Sequence, residues 1–266
     1  MAKSIHVEYR VFDQQEALSR ATAERFVEGI RSAVSARGAA RIAISGGGSP
    51  KPVLSLLADP QEPYRAAIPW DRLWIFWVDE RCVAPEHPDS NYGVARELLL
   101  SKVPLPPDHA IRIEGELDPE EAAARYESAI RGHFRLEGAQ GPVFDVLHLG
   151  MGDDGHTASL FPHTEALHEM LRLSVANHVP QQKQSWRVTL TWPVINAARD
   201  VFFLVDGDAK ADPLGRVLQG AYDPETLPSQ LIQPQSSRLL FLLDKAAAAH
   251  LPPPGAGGLG TLEIVR

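Results

Sequence analysis

The chain of 266 residues has one cysteine, Cys82. An internal disulfide is therefore excluded, and the composition suits a reducing compartment, so a cytoplasmic location is expected. Cys82 directly follows Arg81 and reads as a partly buried spectator thiol rather than a nucleophile. Long apolar runs are also missing. None approaches the roughly 18–20 residues of a membrane helix, and Met1–Glu8 lacks the apolar core of a secretory leader, so no membrane partner is expected. Ten histidines are scattered without HExxH or Cys/His clustering, and the reading is of no metal and no other cofactor. Basic residues are the minority, 26 Lys and Arg against 34 Asp and Glu, for a formal net charge of −8. Nucleic acid is then an unsuitable partner, since binding it needs a dense basic face. No internal repeat is present. What remains, 44% hydrophobic and 23% charged, is an ordinary globular composition with enough chain for one sizeable core.

Against these absences stand three turns of related design. The most informative runs from Phe144 to Pro162, where an apolar strand stops in a turn with Gly150, Gly152 and Gly155. Two carboxylates, Asp153 and Asp154, and the imidazole of His156 are packed into that turn. Glycine lets the backbone take positive φ and approach a ligand closely. Histidine ordinarily titrates near neutral pH, as general base catalysis requires. Taken alone, the turn reads more readily as a polar αL turn in which Asp154 caps the next helix and His156 fills a first-turn position. It is not alone. Upstream, Arg41–Ile44 reads as a strand, Ser45-Gly46-Gly47-Gly48-Ser49-Pro50 as a loop opening a helix, and Val53–Leu57 as that helix's apolar run. Exposed backbone N–H groups and a helix N-terminus make a cradle for phosphate. The loop lacks the Walker A and dinucleotide spacings, so a sugar phosphate suits it better than a nucleotide. Between the two lies Leu73–Val78, continuously apolar like a strand buried on both faces, which ends abruptly in Asp79-Glu80-Arg81. An arginine there either pairs with a neighbour or aims its planar fork at an anionic oxygen. In an acidic chain, local cations must overcome the global field to hold an anion, and Arg81, Lys183, Arg187 and Lys210 are the candidates.

In this order the pieces resemble the 6-phosphogluconolactonase family. They are Ser45–Pro50, Asp79-Glu80-Arg81 with Ser90-Asn91, Gly150–Pro162, Arg187–Leu190 with Pro193–Asn196, and Gly207–Lys210. The resemblance implies a hydrolase of 6-phospho-D-glucono-1,5-lactone in the oxidative pentose phosphate pathway. It implies His156 as general base with Asp154 beside it. The substrate would be held by Gly46, Gly47, Gly48, Ser49, Asp79, Arg81, Asn91, Gly152, Lys183, Arg187 and Lys210. The partner would be a small phosphorylated sugar lactone, and the protein a monomer or weak homo-oligomer. Glucosamine-6-phosphate deaminases share the Asp-Gly-His turn but place a glutamate five residues after the histidine, where this chain has Phe161. Deaminase or sugar-phosphate isomerase activity is the alternative function, and a non-catalytic sugar-phosphate sensor the third. The segment His178–Arg187 departs from the family's Ser-Pro-Lys-Pro-Pro pattern, leaving Lys183 and Arg187 as competing phosphate ligands.

The alternation of strand and helix patterns predicts an α/β fold, a mostly parallel sheet with helices on both faces. The resemblance implies the same, a Rossmann-like sheet with a small appended subregion, as in deaminases and ribose-5-phosphate isomerases. A single domain over 1–266 is expected, with an edge strand at Ile5–Tyr9. A helix is expected over Glu16–Ala36, with Leu18, Ala21, Phe26, Ile30 and Val34 in the core. Ile111–Glu114 reads as a short strand, and Asp118-Pro119 as the start of a capped helix bearing Ala122, Tyr126, Ile130 and Phe134. The Pro/Gly-rich tail, 251–266, is expected to be loosely held, with Leu262–Val265 able to add an edge strand.

Overall fold

Strand patterns that are apolar throughout, or nearly so, can be buried only at the centre of a sheet covered on both faces. In a computed structural model describing residues 4–236 and 238–265, this is where they lie. β6 (Val146–Leu149) and β9 (Val201–Val205) are buried throughout. They stand in an eight-stranded sheet with β1 (Ser4–Phe12), β2 (Ala40–Ile44), β3 (Leu73–Trp77), β5 (Ala110–Ile111), β10 (Arg238–Asp244) and β11 (Leu259–Val265). The order is β11-β1-β10-β9-β6-β2-β3-β5, parallel except for β11. Ile5, Val7 and Tyr9 alternate into the core as expected, yet β1 is not an edge. The segment from Leu259, within the tail expected to be loose but able to add an edge strand at Leu262–Val265, adds that strand, pairing antiparallel with β1 from Ser4 to Arg10 and covering it. The strand expected over Ile111–Glu114 shrinks to the two residues of β5.

The helices follow from spacing and caps. α1 (Gln15–Arg37) buries Leu18, Thr22, Ala23, Phe26, Ile30 and Ala33, while Ala21 and Val34 sit half-buried on its flanks. It stops at Gly38, whose φ of 77° is left-handed and whose N–H donates to the Val34 carbonyl. α5 (Pro119–Phe134) starts at Asp118, whose side chain accepts from the Glu120 and Glu121 N–H groups. It buries Ala122, Ala123, Tyr126 and Ile130. The Tyr126 hydroxyl donates to the Trp77 carbonyl at 2.6 Å and accepts from the Trp77 N–H at 3.0 Å, which fixes the end of β3. The remaining helices are α2 (Pro50–Ala58), α3 (Pro63–Ala67), α4 (Asn91–Leu98), α6 (Trp192–Ala197) and α7 (Ala211–Gln219).

A second, three-stranded antiparallel sheet is the appended subregion. It consists of β4 (Asp79–Arg81), β8 (Trp186–Leu190) and β7 (Ser174–His178), in that order. The run Leu73–Arg81 is thus divided between two sheets. Val78 is the junction, donating to the Ile44 carbonyl of β2 and accepting from the Leu190 N–H at the end of β8. The order of strands also reverses beside β2, because the chain continues to β3 on one side and later to β6 on the other. Loops leaving neighbouring strands in opposite directions open a crevice at their carboxyl ends. The glycine loop after β2 and the histidine turn after β6 meet there.

One core residue carries a measurable signature. His148, in β6, lies between the rings of Phe26 and Phe202, and its Nδ1 accepts the Ser45 N–H. Burial pushes its pKa down to about 3. The unfolded imidazole takes up a proton near pH 6.5, so unfolding binds a proton from there down to about pH 3, and acid favours the unfolded state. This residue should cost about 1.4 kcal/mol of stability per pH unit across that range. Denaturant unfolding at pH 7.5 and 5.5 should show a smaller loss in His148→Leu than in the parent chain. Equal losses would contradict the assignment.

Candidate active site

The crevice is a cavity of about 390 Å³. Its lining draws on all three turns found in the sequence, including Gly46, Gly47, Gly48, Ser49, Asp79, Arg81, Asn91, Gly152, His156, Arg187 and Lys210. Asp154 touches it through His156. Lys183 is not brought in.

On the phosphate side, Gly47 adopts a φ of 100°, and a Cβ at Gly46 would overlap the Asn91 amide. Asn91 holds that position by donating Nδ2 to the Asp79 carbonyl at 2.9 Å. Its backbone is anchored by Glu80, a residue the motif reading passed over. Glu80 is 2% exposed. One of its oxygens accepts from the Arg81 and Asn91 N–H groups, the other from the Tyr92 N–H and the Ser90 hydroxyl. Burial pushes its pKa up and the backbone donors pull against that. Placed at the N-terminus of α4, the carboxylate locks this helix to β4. Ser49 lines the cavity, but its hydroxyl is bonded to Asp206, so the loop offers an anion its backbone rather than that side chain.

The cations are arranged unusually. Arg81 and Arg187 stand directly opposite each other in the β4–β8 ladder. Like charges so placed repel. Arg187 is 6% exposed, and burial, followed by the charge of Arg81, pushes its pKa down. Arg81 donates to the Asp89 carbonyl and Arg187 to the Gln184 carbonyl. Among the described residues, no carboxylate lies within salt-bridge distance of Arg81, Arg187 or Lys210. Lys210 comes from the short turn Asp208–Lys210 after β9. Lys183 instead points to solvent, its Nζ 3.2 Å from the Asp89 carboxylate. The register of the β7–β8 connection turns Gln182 into the cavity, and Lys183 is held outside by Asp89. Arg187 is therefore the member of the competing pair that reaches the cavity.

On the opposite wall, the Gly152 N–H donates to the His156 carbonyl at 2.8 Å, and Gly155 turns the chain with a φ of 79°. A Cβ at Gly152 would overlap the imidazole and the Asp154 carboxylate. Asp154 Oδ1 accepts the His156 N–H at 3.0 Å and lies 2.5 Å from Nδ1. Burial raises the Asp154 pKa, but the hydrogen bond and charge of His156 outweigh it and leave the carboxyl below its ordinary value. An ionised Asp154 keeps the imidazole proton on Nδ1 and leaves Nε2 as an acceptor. The expected helix after this turn is absent. Thr157 and Leu160 form an isolated bridge instead, so Asp154 caps no helix. The turn is fastened to the small sheet by polar residues hidden in apolar patterns. Ser159 donates its hydroxyl to Asp79 Oδ2 at 2.7 Å and its N–H to the Thr189 hydroxyl, and Asn177 donates to the Ser159 carbonyl.

Cys82 lies outside the cavity and half-buried, and burial pushes its thiol up to about 11. The thiolate fraction at pH 8 is then roughly 100-fold below that of an unshifted thiol. Iodoacetamide should label the native protein about that much more slowly than the denatured chain. Equal rates would contradict the burial described.

The family model for glucosamine-6-phosphate isomerases/6-phosphogluconolactonase matches residues 13–241. The 6-phosphogluconolactonase of Nostoc sp. is 41% identical over 243 residues, 91% of this chain and 97% of its own. That of Synechocystis sp. is 42% identical over 225 residues, covering 84% and 90%. The solved 6-phosphogluconolactonase of Trypanosoma brucei superposes with a TM-score of 0.78 at 30% identity, covering 92% of this chain and 98% of that one. A monomeric glucosamine-6-phosphate deaminase, at 17% identity and a TM-score of 0.74, shares the fold. With its three turns converging on one cavity and the match running through all of them, the chain belongs to the glucosamine-6-phosphate isomerase/6-phosphogluconolactonase family.

Proposed function

We infer that this chain hydrolyses 6-phospho-D-glucono-1,5-lactone to 6-phospho-D-gluconate. The observation that carries the reading is the opposed pair Arg81 and Arg187, without carboxylate partners, in the same cavity as His156. The pair is electrostatically incomplete without an anion, and a phosphate dianion completes it. Lys210 and the N–H groups of Gly46–Gly48 add donors on that side. The relatives named above are lactonases, which gives the phosphate a sugar lactone to belong to.

The lactone carbonyl is already electrophilic, so orientation and a base suffice and no metal is required. His156 Nε2 takes a proton from water as the water oxygen bonds to C1. The tetrahedral intermediate then collapses with cleavage of the bond from C1 to the ring oxygen, and Nε2–H returns the proton to that oxygen. Asp154 stabilises the imidazolium between the two transfers. Deaminase activity is the weaker reading, because a phenyl ring and not an acid lies against the imidazole at position 161. We place the enzyme in the cytoplasm as one catalytic domain, a monomer or weak homo-oligomer with no nucleic-acid partner. The lone Cys82 and the charge of −8 support this.

A coupled assay of freshly generated lactone should show acid formation well above the spontaneous rate, with no ammonia released from glucosamine 6-phosphate. Ammonia release without lactone hydrolysis would establish the deaminase. Binding of sugar phosphates with neither reaction would establish a sensor.

A further inference from the structure

The mechanism uses one edge of the His156 ring. Its face is also occupied. The Phe161 ring lies on the imidazole with centroids 3.9 Å apart and planes 24° from parallel. Residues five apart in sequence meet this way only if the chain folds back between them. Ala158 supplies the reversal, with a φ of 52° in the left-handed region that non-glycine residues rarely occupy. The bridge between Thr157 and Leu160 closes the turn. Phe161 is itself immobilised, being 4% exposed, with the fully buried Leu160 before it and the half-buried Pro162 after it. Its carbonyl accepts the Thr164 hydroxyl at 2.8 Å. The imidazole is thus held at Nδ1 by Asp154, backed by Gly152, whose missing side chain makes room for it, and covered on a face by Phe161.

We propose that Phe161 is a positioning residue for the lactonase reaction, stacking on His156 to fix the ring plane so that Nε2 stays aimed at the attacking water. A hydrogen bond from Asp154 alone leaves the imidazole free to rotate about the axis of that bond, and stacking against a buried aromatic ring removes this freedom. General base catalysis demands such alignment, since small misplacements of the reacting atoms are costly. The proposal rests on the assignment of His156 as base, and its test separates the two.

Steady-state kinetics on 6-phospho-D-glucono-1,5-lactone are measured for Phe161→Leu, Phe161→Tyr, His156→Ala and the double variant His156→Ala/Phe161→Leu. Thermal unfolding of each checks the fold. Phe161→Leu should lower kcat about 10–100-fold, part of the typical yield of a general base, and leave KM within about twofold. Phe161→Tyr keeps the ring face and should restore most of kcat. In the His156→Ala background, Phe161→Leu should change the residual rate by less than about twofold, because Phe161 acts only through the imidazole. Wild-type kcat in Phe161→Leu, or an equal loss with and without His156, would overturn the proposal. So would a rise in KM at unchanged kcat. If Phe161→Leu does not fold, Phe161→Met fills the volume without a planar face and is read by the same criteria. Undiminished activity in His156→Ala would instead refute the base assignment.

Discussion

His156→Ala should lower kcat for the lactone by about 10²–10⁴-fold, the range a well-placed general base contributes. The loss should fall in kcat, with KM little changed, because the imidazole meets water and the ring oxygen rather than the phosphate. The fold should survive. The His156 side chain is 23% exposed, and the turn around it is kept by the backbone bond from Gly152 to the His156 carbonyl and by the Asp154 contact to the His156 N–H. Asp154→Asn should lose much of the same activity by a different route. A neutral amide cannot stabilise the imidazolium and does not enforce the tautomer that leaves Nε2 free. The two losses should not add in the double variant, since one acts through the other. Kinetics with thermal unfolding on the three variants checks this.

The second large effect separates binding from stability. Arg187→Gln should raise KM roughly 30–1000-fold with kcat nearly intact, the range for removing one partner of a buried charge pair worth about 2–4 kcal/mol. Stability should move the other way. Arg187 is buried opposite Arg81 with no carboxylate within salt-bridge distance, and the charges of Asp79 and Glu80 offset burial and repulsion only in part, so the free protein carries a desolvated, repelled cation. Removing that charge should leave the melting temperature unchanged or higher. Inorganic phosphate or 6-phosphogluconate should raise the melting temperature of the parent chain by mass action and do so far less in Arg187→Gln. A large drop in stability with KM unchanged would mean that Arg187 is a structural residue.

Much of this was legible in the sequence because it is local. The three strand-and-turn units, the glycine loop, the pairing of Asp154 with His156 in one turn and the capped start of α5 all depend on residues a few positions apart. What was not legible depends on strand partners. Asp79–Arg81 reads as the charged end of β3, and only pairing with Arg187–Thr189 draws it into a second sheet. That register sets Arg81 against Arg187, which composition cannot show. Glu80 resembles a solvated charge until α4 docks its N-terminus over it. Lys183 and Gln182 exchange expected roles because a hairpin connection alternates faces, and a shift of one residue reverses them. The edge strand at Leu262–Val265 is legible in its alternating residues, but that its neighbour is β1 is not. Ser159 and Thr189 are polar residues in apolar stretches, and their partners lie 30 to 80 positions away.

Whether His156 is the base is read most directly from the pH dependence of kcat. The parent enzyme's rate, corrected for spontaneous hydrolysis at each pH, should fall towards acid with the slope of a single proton. Asp154 is held below the ordinary carboxylate range and stays ionised across the assay, so it does not supply the limb. The residual activity of His156→Ala should lack it. A limb of the same slope and position in His156→Ala would assign the essential proton to another group and contradict the mechanism.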